Sequence, residues 1–104
     1  MLGFLSPEGK FYDCQYFAHI SLADKLLGEV YKQQSSNSVD KLCRLGWVVV
    51  QSSFIGFASD VRYHTPQLTR EQKQWLEENK DKMSYSQHIG LELCLELNEM
   101  LYEQ

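Results

Sequence analysis

The run Trp47-Val48-Val49-Val50-Gln51 has the fewest conformational alternatives in this chain. Aromatic and β-branched side chains fit a pleated surface, so the run predicts a β-strand. Ser52-Ser53 predicts a turn into a second strand, Phe54-Ile55-Gly56-Phe57-Ala58, although it lacks Asn-Gly or Gly-X. Another hairpin is predicted near the N-terminus, around Ser6-Pro7-Glu8-Gly9. Pro7 presets φ for a turn and Gly9 supplies the permissive position. Phe4 and Leu5 precede that turn, and Phe11 and Tyr12 follow it.

Helical periodicity fills the remainder. Leu22, Leu26 and Val30, with Ala23, Leu27 and Tyr31 beside them, form an apolar stripe. Ser21 and Asp24 supply its start signal. After the loop-like Ser35-Ser36-Asn37, Ser38 predicts the cap of a short helix, Val39 to Leu45, ended by Gly46 in a left-handed conformation. Asp60 to Gln67 reads as a connector containing Pro66. Thr69 with Gln72 is a capping box, opening a helix through Trp75 and Leu76 to about Met83. Ser84 with Gln87 is a second one. It opens a last helix carrying Ile89, Leu93, Leu97 and Met100, with Leu101 alongside. Gly90 weakens its first turn by about 1 kcal/mol relative to Ala. The expectation is an α+β fold, ββααββαα, with a small antiparallel sheet from two hairpins packed against about four helices. One domain spans 1–104, divided into an α+β part at 1–68 and a C-terminal helical pair at 69–104.

Several function classes find little support. Cys14 and His19 are five apart, while Cys43, His64, His88 and Cys94 supply no second close pair. Structural zinc sites use two close pairs, so no metal or other cofactor is predicted. Cys14 with His19 or His64, or Ser52 or Ser53 with a histidine, would be needed for nucleophilic catalysis. No G-x-S-x-G, C-x-x-C, P-loop or G-x-G-x-x-G accompanies them, and the reading is not an enzyme. No apolar run reaches the length of a membrane span. Met1 to Pro7 lacks the basic and long apolar regions of a secretory leader. Three widely spaced cysteines fit a reducing compartment, so a cytoplasmic location is expected.

Charge supplies the sharper signal. Ten Lys and Arg face fourteen Asp and Glu, a net charge of −4. The first 68 residues balance, six bases against six acids. The deficit lies in residues 69–104, with four bases and eight acids. Lys25, Lys32, Lys41 and Arg44 are too few to track a phosphate backbone. Tyr12, Tyr16, Phe54 and Phe57 are better read as packing residues than as a stacking platform, so no direct nucleic-acid contact is expected. Glu92, Glu96, Glu99 and Glu103 follow one another at steps of four, three and four, on one helical face. Such a row is either a solvated face or an anionic ridge for a partner with a basic surface. Glu77, Glu78 and Asp81 are candidates to widen it.

The segment Gly3-Phe4-Leu5-Ser6-Pro7-Glu8-Gly9-Lys10-Phe11-Tyr12-Asp13-Cys14, then His19 and Leu22-Ala23, resembles an N-terminal pattern of small, mostly uncharacterised proteins. These come from Gram-positive bacteria, their phages and mobile elements. Leu45-Gly46-Trp47-Val48, Leu68-Thr69-Arg70-Glu71-Gln72 and Trp75-Leu76 are also similar to such proteins. The resemblance covers about two thirds of the chain and carries no activity with it. Small acidic proteins of these elements include inhibitors of host defence, among them anti-CRISPR proteins, an analogy of size, charge and genome type.

The sequence therefore predicts a binding protein that inhibits a larger host protein, of the anti-CRISPR type, through its acidic last helix. A CRISPR effector nuclease holds its heteroduplex in a basic channel that a carboxylate row could occupy. The alternatives are a small Cys/His-dependent enzyme or metal-binding domain using Cys14, His19 and His64, and a homodimeric accessory protein.

Overall fold

The computed structural model describes residues 3–14, 19–33, 37–51, 54–56 and 67–102. The elements run β1 (Gly3–Leu5), β2 (Phe11–Asp13), α1 (His19–Tyr31), α2 (Ser38–Arg44), β3 (Val48–Gln51), β4 (Phe54–Gly56), α3 (Arg70–Glu78), a 3-10 turn (Lys80–Lys82) and α4 (Tyr85–Tyr102). This is the expected α+β architecture. Both hairpins join one antiparallel sheet of order β2-β1-β3-β4. Phe4 pairs with Tyr12 on one side and Val49 on the other, and Val50 pairs with Ile55. Phe4, Leu5, Val48, Val49 and Val50 are all buried. Successive strand residues point to opposite faces, so both faces of the sheet centre are covered.

Local chemistry sets the element ends. In the first hairpin the Gly9 N–H donates to the Ser6 carbonyl at 2.9 Å, with Gly9 at φ 85. A Cβ there would lie 2.9 Å from the Glu71 Cβ, so the turn needs glycine for both conformation and space. Gly46, at φ 96, closes α2. Its N–H donates to the Cys43 carbonyl and the Trp47 N–H to the Leu42 carbonyl, both at 3.0 Å, the paired bonds of a Schellman motif.

Two predicted start signals are corrected. Helix α1 begins at His19, so Ser21 lies inside it, and Asp24 is used elsewhere. Ser38 is the first helical residue of α2 rather than its cap; Asn37 holds the cap position. The Ser38 hydroxyl donates to Asp24 Oδ1 and ties α2 to α1. The stripe of α1 buries Leu22, Ala23, Leu26 and Leu27 but leaves Val30 exposed. The predicted turn Ser52-Ser53, the extension Phe57-Ala58 and most of the Asp60–Gln67 connector lie outside the described residues.

Both capping boxes form, and each glutamine does a second task. The Thr69 N–H donates to Gln72 Oε1 at 2.9 Å, and the Gln72 N–H donates to Thr69 Oγ1 at 3.1 Å. Gln72 Nε2 then donates to the Gly46 carbonyl at 2.6 Å. The Ser84 N–H donates likewise to Gln87 Oε1 at 2.9 Å, while Gln87 Nε2 donates to the β3 carbonyl of Gln51 at 2.8 Å. Each amide caps its own helix and docks that helix on the body of the fold. Both side chains are fully enclosed, a burial that satisfied hydrogen bonds make tolerable. The aromatic residues fasten the β2 edge. Phe11 stacks on Trp75 with centroids 4.8 Å apart, and Tyr12 lies against Trp47 with centroids 5.5 Å apart; Trp47 Nε1 in turn donates to the Tyr31 hydroxyl of α1 at 2.9 Å.

Candidate functional site: the solvent face of the last helix

Helix α4 packs against β4. Its buried row is Gln87, Leu91, Cys94 and Asn98, at steps of four, three and four. Asn98 is held at both ends: its Oδ1 accepts from the Leu68 N–H at 2.7 Å, and its Nδ2 donates to the Cys94 carbonyl at 3.3 Å. These bonds fix the rotation of the helix and so decide which residues face water.

Two rows do. Glu92, Glu96 and Glu99 are exposed, in line along the helix. Glu103 lies outside the described residues. Ile89, Leu93, Leu97 and Met100 form the second row, and they too are exposed. The apolar row legible in the sequence is therefore not the one the fold buries. Leu101, beside it, is also exposed. At 100° per residue the apolar row lies about a quarter-turn from the carboxylates, and the buried row more than a third of a turn from either.

Glu77, Glu78 and Asp81 are exposed on α3 and the 3-10 turn, on separate elements from the α4 row. Glu78 Oε1 accepts from Gln74 Nε2 at 3.0 Å, one turn back on the same helix.

The cysteines sit in the core. Cys14, Cys43 and Cys94 are buried and form no disulfide. Burial pushes the Cys94 thiol up to about 11. Burial first, and the charge of Asp13 second, raise that of Cys14. Nucleophilic cysteines are shifted the other way. Only the backbone of His19 is described, and His64 lies outside the described residues, as does Tyr16. Among the described residues no three His, Cys, Asp or Glu side chains converge to hold a metal ion. No helix among them is long and apolar enough to cross a membrane.

Sequence reasoning found both exposed rows as patterns and Gln87 as a cap, but missed Asn98 and the bonds by which the two amides dock the helix. The only available signal was the placement of Gln87 and Asn98 on the face shared by Leu91 and Cys94. Comparison with protein-family models, curated proteins and solved structures returns no match.

Proposed function

We propose that this chain is a non-enzymatic binding protein of a phage or mobile element that inhibits a larger host protein. In its most specific form it is an anti-CRISPR acting on an effector nuclease. The observation that carries the reading is the exposed carboxylate row Glu92, Glu96 and Glu99 on an anchored 18-residue helix. Held rigid, such a row opposes a basic channel without the entropy of ordering a loose segment. Its charge steers encounter with a cationic surface and repels nucleic acid from the same place. The resemblance of residues 3–14 to proteins of phages and mobile elements supports the source, and the small acidic domain supports the class. The raised thiols of Cys14 and Cys94 weigh against a Cys-dependent enzyme.

The test is a DNA-cleavage assay with purified effector nuclease, guide RNA and target. The unaltered chain is expected to slow cleavage, with the effect weakening as salt rises. The E92K/E96K/E99K variant, folded by circular dichroism, is expected to lose the inhibition. No inhibition by the unaltered chain would refute the anti-CRISPR form. Undiminished inhibition by the variant would refute the charge mechanism.

A further inference from the structure

We infer that α4 docks through both of its exposed rows together. Its occupant is a protein surface with an apolar ridge bordered along one side by Lys or Arg. The inference rests on the reading that the chain binds a partner through α4, and it specifies that partner's chemistry.

The apolar row is substantial. Ile89 is 44% exposed, Leu93 55%, Leu97 45% and Met100 57%. Singly scattered apolar residues need no explanation, but a contiguous stripe over three turns marks an interaction surface. It is not the margin of the core, because the buried row of Gln87, Leu91, Cys94 and Asn98 points well away from it. Glu92, Glu96 and Glu99 each stand one residue before Leu93, Leu97 and Met100. The carboxylates therefore border the stripe along one flank from Leu93 to Met100. Desolvation of the apolar row supplies affinity, and the carboxylates set orientation and reject acidic surfaces.

The flank selects the occupant. If two copies paired antiparallel over the apolar row, both Glu rows would fall on the same side of the seam. Helix α4 contains no Lys or Arg to oppose them in that pairing or in a parallel one. An anionic lipid surface would meet the same carboxylates with like charge. A protein ridge with cations along the matching side satisfies both rows at once.

The experiment titrates the full chain against two labelled synthetic helical peptides, read by fluorescence anisotropy. Both carry one row of leucines; the flanking row is Lys in one and Glu in the other. The Lys-bordered peptide is expected to bind and the Glu-bordered one not to. The L93Q/L97Q variant, altered only at exposed positions, is expected to weaken binding about tenfold or more. The E92Q/E96Q/E99Q variant is expected to abolish its salt dependence. Equal binding of the two peptides, or binding of neither, overturns the inference. Light scattering that finds a dimer which L93Q/L97Q dissociates also overturns it, and assigns the face to a second copy. The cleavage assay separates the two readings. Full inhibition by L93Q/L97Q with loss in E92K/E96K/E99K removes the apolar row and leaves the proposed function standing. Absence of inhibition by the unaltered chain removes that function, whatever the peptides do.

Discussion

Asn98 Oδ1 accepts a hydrogen bond from the Leu68 main-chain N–H at 2.7 Å, and both residues are buried. One amide thus joins the last turns of α4 to the segment entering α3. Asn98→Ala leaves the Leu68 N–H without its acceptor in a site closed to water. The expected loss is about 1–3 kcal/mol, read as a lower urea midpoint at unchanged slope. Asn98→Leu restores volume but no acceptor, so it should recover little. Full recovery by Asn98→Leu would show that the position needs bulk rather than a hydrogen bond.

Gln72 makes a discriminating prediction, because a capping box accepts Glu or Gln at that position. Here Nε2 donates to the Gly46 carbonyl at 2.6 Å, and the Leu5 carbonyl lies 3.5 Å away. Gln72→Glu keeps the oxygen that caps Thr69 and turns a second oxygen toward those carbonyls. Burial and the facing carbonyls would raise the pKa of the new carboxyl above its unfolded value. The protonated form restores a donor, so the variant should regain stability as pH falls and lose it as pH rises. At neutral pH the cost is expected to exceed the roughly 1 kcal/mol of an ordinary lost cap. Parallel melting of Gln72→Glu and the unaltered chain from pH 4 to 8 checks this; a constant gap contradicts it.

These amides also mark where sequence reading stopped. The first hairpin, the Gly46 terminus, both capping boxes and the strand at Val48–Gln51 were legible, because each follows from local conformational preference. The joining of the hairpins through β1 and β3 was not, because no local signal sets which strands pair. Ser38 and Ser21 misled: both have the residue type of a helix start, but a tertiary bond from Ser38 to Asp24 outweighs it. In α4 the charge row was legible from spacing alone. The buried row was not, since half of it is polar and the more regular apolar row faces solvent.

The exposed carboxylates should cost the helix stability. Glu92 and Glu96 are four apart, Glu96 and Glu99 three, and both spacings bring like charges together. Glu99 also lies in the last turn of α4, where the helix dipole disfavours anions. E92Q/E96Q/E99Q is therefore expected to be more stable than the unaltered chain, by about 0.5–1 kcal/mol at low salt. The gain should shrink as salt rises. A stabilised variant that no longer inhibits cleavage would show a row retained for binding at the expense of the helix. A destabilised one would mean that the carboxylates hold the fold together.

Cys94 gives the fold a pH dependence in the alkaline range. Its thiol has an ordinary value of 9.0 and is pushed up to about 11 by burial. The folded state therefore holds the proton more tightly than the unfolded chain does. That contribution is fully present below pH 9 and is lost as pH rises through the folded value. By pH 11 the loss amounts to about 2–3 kcal/mol. The comparison is made with a variant that lacks only this thiol. Cys94→Ala removes the titration and leaves a small cavity, so it should be less stable at pH 7 and fall less steeply between pH 9 and 11. Denaturant midpoints at pH 7, 9, 10 and 11 supply the measurement. Parallel decline of the two proteins would show that the thiol ionises as readily in the fold as outside it.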